Sequence, residues 1–278
     1  MRPFSLDRAA ENIFQPRSRV LEAESVIRTT MNRDSREIHF ATEVTRPANR
    51  RLCVWFAVCA FLIVFAGFAR TFYLRQLFET VGLPLLLRLH GLLFTAWLVL
   101  FFVQARLVAR HHVKLHRRLG IVGVVLAPLA GCVALAVAFR AGRRLFLTDP
   151  ASLTSLRVRP LAMDFGTILM FLTLAITALC LRGRPEAHKR LILLASCSIL
   201  LPAIARIPFL FEAVGLWGVV TITEVPPLAC ILYDSIKQRR LHPAFGWGGA
   251  ALLSSFPAFM LLGSSNLWLR FVSWLVRL

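Results

Sequence analysis

The chain has 278 residues, 57% of them hydrophobic and 17% charged, with a formal net charge of +19. Seven spans of about 20 residues would use half of it, which excludes a large soluble domain beside them. A charge of that size in a soluble protein would point to nucleic acid. Here the basic residues lie between apolar runs, where positive charge sets membrane orientation, and no basic module stands apart. The partner this predicts is therefore the lipid bilayer and not a nucleic acid.

Residues 1–50 are polar and mixed in charge, and read as a flexible tail with a short helix around 20–30. The first thirty residues hold no apolar core of a secretory signal peptide. Met31 offers an alternative start that leaves a basic tail of about 20 residues ahead of the first span. Residues 51–278 read as a transmembrane helical domain. Apolar runs cover 52–68, 91–103, 119–139, 165–181, 191–205, 213–233 and 246–262. With their flanks, six reach the roughly 20 residues that cross a ~30 Å hydrocarbon layer, and the seventh nearly does. Backbone polar groups cannot stay open in lipid, so these runs are expected to be α-helices. The predicted fold is all-α, a polytopic bundle of seven transmembrane helices, with six plus a C-terminal helix as the alternative. Residues 267–278 either extend the seventh helix or lie along the interface as an amphipathic tail.

Loop charges set the expected orientation. Basic residues are more numerous before the first run and in the second-to-third, fourth-to-fifth and sixth-to-seventh connections than on the opposite side, which predicts a cytoplasmic N-terminus. Arginine far outnumbers lysine (Lys114, Lys189 and Lys237 are the only lysines), a bias that fits a GC-rich bacterial genome and hence a bacterial inner membrane. His116-Arg117-Arg118-Leu119 opens the third run and His188-Lys189-Arg190-Leu191 the fifth, an echo that predicts two hairpins of one topology. The third run carries Gly123, Ala127 and Gly131 on one face and Ala130, Ala134 and Ala138 on another. Small residues at that spacing permit close helix approach and predict a central third helix. The six cysteines lie within apolar runs and read as reduced, buried hydrophobes.

No metalloprotease, serine-nucleophile, phosphate-loop or dinucleotide motif occurs, so the motifs leave enzyme activity open. Chemistry must be sought among ionisable groups at membrane depth. At 1.5 Å per residue, His90, Asp164, Arg206 and Glu224 lie about 9, 5, 8 and 16 Å inside the external helix ends. Charged groups at such depth cost about 2.5–3.5 kcal/mol on insertion scales and are paired or functional. Arg206 and Glu224, on antiparallel neighbours, are expected to meet, or Arg206 to meet Asp164, with His90 lining the same cavity. Pro226 and Pro227 free backbone carbonyls beside Glu224, and Pro202 and Pro208 bracket Arg206; interrupted helices of this kind hold substrate in transporters. His90, Trp97 and Gln104 recur every seven residues on one face of the second helix. These six residues form the candidate ligand-binding set. The function they predict is binding, or translocating, a small ligand or proton, with no cofactor.

The histidines supply an alternative. His111, His112, His116, His188 and His242 all map to the cytoplasmic side, where two at one depth on facing helices could ligate a b-type haem. Leu89-His90-Gly91, Thr95-Ala96-Trp97, Gln104 and Leu115-His116-Arg117-Arg118-Leu119-Gly120 together form a recognisable pattern. With Arg70-Thr71-Phe72-Tyr73-Leu74-Arg75 before it and Arg184-Pro185-Glu186-Ala187-His188-Lys189-Arg190 after it, this pattern resembles an uncharacterised family of predicted bacterial multi-pass membrane proteins. The likeness covers roughly residues 67 to 244 and transfers no activity. More remotely, the chain is similar to transmembrane b-type cytochromes, which also open helices with histidine. That likeness implies electron transfer through haem b with His116 and His188 as ligands, although the cytochromes pair their histidines within the spans and this chain mostly does not. A third reading is a structural or partner-binding membrane subunit.

Overall fold

The computed structural model describes residues 28–31, 47–78, 82–148 and 155–275. The chain divides into two units, Met1–Arg46 and Pro47–Leu278. Of the first, residues 28–31 are helical, and the rest of the helix expected around 20–30 lies outside the described residues. Among its described residues the second unit consists of helices joined by short turns, with no strand.

Its principal helices are α1 (Pro47–Phe68), α2 (Leu85–Ala109), α3 (Val113–Thr148), α4 (Ser155–Cys180), α5 (Pro185–Ser198), α6 (Leu210–Gln238), α7 (Pro243–Gly263) and α8 (Asn266–Leu275). Proline marks where helices begin. Pro47, Pro185 and Pro243 open α1, α5 and α7, and Pro84 precedes α2. Its fixed φ suits a first turn and its missing N–H is not needed there. Within a run the same residue breaks the helix: Pro202 cannot donate to Ser198, so α5 stops and resumes as the short turn Leu201–Ile204. Taken together as Pro185–Ile204, this segment still crosses.

Among the described residues, seven helical segments are long and apolar enough to span a membrane, the architecture of a multi-pass membrane protein. Large apolar side chains such as Trp55, Leu62, Ile121, Val125 and Leu261 stay exposed along them. Such an outer surface suits lipid and not water. The C-terminal segment does not extend the seventh span. The chain turns at Ser264, and α8 is a separate helix that lays Trp268 and Val272 against Leu161 and Ala162 of α4.

The expectation of a central third helix is corrected. The most extensive packing belongs to α4, which touches α3, α5, α7 and α8, whereas α3 packs against α2 and α4. The reason is geometric. Gly123, Leu126, Ala127, Ala130, Gly131, Ala134 and Ala138 form one buried stripe at helical spacing, not two faces, and the residues between them are exposed or half-buried.

Short turns join α2 to α3, α4 to α5 and α6 to α7, so these three connections lie at one end of the bundle, the His116 end. The opposite, His90 end holds the starts of α2 and α4, the end of α5 and the π-helical turn Ala69–Tyr73 that follows α1.

Candidate ligand cavity and buried ion-pair cluster

A cavity of about 420 Å³ opens between α1, α2, α3, α4 and the end of α5 at the His90 end. Sequence places room there. Ala134, Ala138 and Ala141 of α3 present only methyl groups to it, so the small residues that bring helices together further along the stripe leave space here. At Gly131, by contrast, an added Cβ would meet Leu172 of α4 at 2.5 Å, so that level is filled. The π-helical turn aims Thr71, Phe72 and Tyr73 into the cavity, a role single π turns often serve at functional sites. The Tyr73 hydroxyl bonds Thr95 Oγ1 at 2.9 Å and Thr95 donates to the Gly91 carbonyl at 2.7 Å, which fixes that wall.

Three of the six expected ligand residues share this cavity: His90, Asp164 and Arg206. Arg206 is exposed toward it, donates from Nη1 to the Pro202 carbonyl at 2.8 Å, and stands over the Phe68 ring at 5.1 Å. Asp164 is likewise solvent-accessible. His90 stacks on Phe94, with ring centroids 4.9 Å apart, and its Nδ1 is buried without a hydrogen-bond partner. Thr167 Oγ1, also in the lining, is buried and unpartnered as well. A site with apolar walls and a few inward polar groups matches the usual anatomy of small-molecule sites, and 420 Å³ falls within their range.

The expected ion pair is corrected. Among the described residues, no salt bridge joins Arg206 to Asp164 or to Glu224. Glu224 lies fourteen residues beyond the start of α6, or about 21 Å along a regular helix, while Arg206 precedes that start. Gly215, with φ 66° and ψ −174°, also breaks the helical path between them. Glu224 is absent from the cavity lining and keeps one carboxylate oxygen buried without a partner.

Trp97 and Gln104 are also outside the lining. The Trp97 indole donates to Ser196 Oγ at 3.2 Å and meets Phe171 edge-on at 5.0 Å, so it ties α2 to α4 and α5 in the core. Gln104 faces Gly120 of α3, its side-chain oxygen buried and unpartnered. At the His116 end, His188 Nδ1 lies 2.7 Å from the Ala178 carbonyl, which sets the Nδ1–H tautomer and presents Nε2. His116 Nδ1 is buried without a partner, and the two histidines lie within electrostatic reach of each other.

The His116 end also holds a cluster that sequence reasoning did not single out. Arg190 is 1% exposed; its Nε donates to Asp234 Oδ2 and its Nη1 to Glu186 Oε2, each at 2.7 Å. Nη1 also reaches the Glu186 carbonyl, Lys189 bonds Glu186 at 2.6 Å, and Gln238 donates to Asp234 at 2.8 Å. The guanidinium stands over Phe245 of α7 at 5.6 Å, so the cluster links α5, α6 and α7. His242 caps α7 beside it, its Nδ1 accepting from the Ala244 N–H at 3.1 Å. Burial, reinforced by Arg190 and Lys189 and opposed by Glu186 and Asp234, holds the His242 imidazole below its ordinary pKa. The signal available in sequence was Asp234 at the end of an apolar run, an acid that needs a cation at its level. Compared with protein-family models, with curated proteins and with solved structures, the chain matches none.

Proposed function

We propose that this is a bacterial inner-membrane protein, its N-terminus cytoplasmic, that binds, or translocates, a small ligand or proton at the His90 cavity. The observation that carries the reading is the convergence of His90, Asp164 and Arg206 from three separate segments on one cavity of ligand size. Ionisable groups facing a cavity at membrane depth mark substrate or ion paths more often than lipid-facing positions do. The resemblance to an uncharacterised family of bacterial multi-pass membrane proteins belongs with this reading. The test is solvent access. With the six native cysteines replaced, a cysteine at Ala141, exposed in the cavity lining, should react with a membrane-impermeant thiol reagent added from outside the cell, and one at the lipid-facing Val125 should not. Equal inertness of both positions refutes the cavity reading.

A second reading, haem ligation, is favoured by one observation: His188 presents Nε2 because its Nδ1 is engaged, and His116 nearby has an unpartnered buried Nδ1. A haem held by this pair would supply one-electron transfer. Among the described residues, no second histidine lines the cavity around His90. A Soret band in purified protein that disappears in His188→Ala would support this reading over the first, and a flat spectrum after growth with added haem would remove it.

A further inference from the structure

The cavity holds two opposite charges within electrostatic reach of each other but not in direct contact. Arg206 and Asp164 both line it, and no ion pair among the described residues joins them. Arg206 spends one N–H on the Pro202 carbonyl and rests its face on Phe68, which orients the remaining donors without supplying a counter-charge. Around them the walls are apolar and aromatic, including Phe72, Phe94 and Leu87.

A plain anion would satisfy Arg206 and sit in the same cavity as an unanswered Asp164 carboxylate. A plain amine would satisfy Asp164 and meet Arg206. Either arrangement brings a like charge into a partly dehydrated space, where such contacts cost most. A ligand carrying both signs removes both costs at once.

We propose that the cavity takes a small zwitterion with an apolar or aromatic body, of the α-amino-acid class, its carboxylate on Arg206 and its ammonium on Asp164. The proposal rests on the cavity reading above and adds the chemistry of the ligand.

Purified full-length protein in detergent is titrated with L-phenylalanine and L-leucine, and with phenylacetate and phenethylamine, which keep the aromatic body but only one charge each. Saturable binding of at least one amino acid is expected, with both single-charge probes weaker by about tenfold or more, the usual worth of one charged hydrogen bond. Arg206→Gln should weaken amino-acid binding to a similar degree and, by removing the like charge, tighten phenethylamine. Asp164→Asn should weaken amino-acid binding and tighten phenylacetate. Equal binding of a single-charge probe and phenylalanine to the unmodified protein overturns the zwitterion proposal, and so does failure of both amino acids to bind. Labelling at Ala141→Cys then separates the two failures: a reactive thiol keeps the cavity and discards this ligand class, and an inert one discards the cavity as well.

Discussion

Arg190 shows how a charge can be tolerated at the edge of a helical bundle. Its guanidinium is 1% exposed, but carboxylates from two helices and an aromatic face surround it. Stranding one charge of a buried pair costs about 3–5 kcal/mol, whereas replacing both by apolar groups of similar volume is often neutral. Asp234→Asn leaves Arg190 with Glu186 alone, so it should lower the melting temperature in detergent by less than that full cost, and Arg190→Met combined with Asp234→Leu should recover most of the loss. A double variant no more stable than Asp234→Asn would show that the pair contributes more than mutual neutralisation. His242 adds a pH dependence. Its pKa is held below the usual 6.5, so its contribution is complete above that pH and is lost as pH falls through the depressed value. The protonated ring can no longer accept from the Ala244 N–H, so the cap is lost in the same range. His242→Asn, which can cap but does not titrate, should lose less stability between pH 7 and 5 than the unmodified protein. Parallel melting curves against pH would exclude this role. The sequence made His90, Asp164 and Arg206 legible because each interrupts an apolar run. Arg190 was hidden because it reads as one more loop cation. Only the helix start at Pro185, five residues earlier, shows that it lies more than a turn inside.

At the level of helices, close approach is set by a few glycines, and they do not all sit where the small-residue pattern is densest. Gly67, near the end of α1, faces the backbone of Ala203 in the turn that follows α5, and an added Cβ would fall inside contact distance of the Ala203 carbonyl. Backbone cannot swing aside as a side chain can, so Gly67→Ala must push α1 away from that turn. Gly131→Leu meets only the movable end of Leu172, and should cost about 1–3 kcal/mol by overpacking. Melting temperatures should therefore fall for both, with the one-carbon change at Gly67 comparable to the much larger one at Gly131. An unaffected Gly67→Ala protein would show that the two segments separate freely. The hydrophobic runs located all seven spans, because lipid imposes length and composition on every one of them. They could not rank the helices by centrality. α4 owes its position to contacts on several sides, including one with α8 through Trp268, and those depend on which faces meet and not on how small the residues are.

At the scale of the whole molecule, the bundle places its two polar features at opposite ends. The cavity of His90, Asp164 and Arg206 opens at one, and the Arg190 cluster with His116, His188 and His242 lies at the other. His116 and His188 are each the fourth residue of their helices, which gives the sequence echo a structural counterpart. The likeness ends there, because Arg190 is buried among carboxylates and Arg118 at the matching position is exposed. This polarity yields a topological prediction independent of any ligand. Single cysteines at His112, at Gly183 and at Arg240 lie in the three short turns that share the His116 end, while Arg70 and Arg143 lie toward the other. With the native cysteines replaced, an impermeant reagent applied to intact cells should label Arg70→Cys and Arg143→Cys and leave the three turn positions unmodified until the membrane is opened. The inverse pattern would keep the fold and reverse its orientation, placing the cavity on the cytoplasmic side. Labelling of Gly183→Cys and His112→Cys from opposite faces would contradict the fold itself, because α3 and α4 would then no longer both cross between those turns.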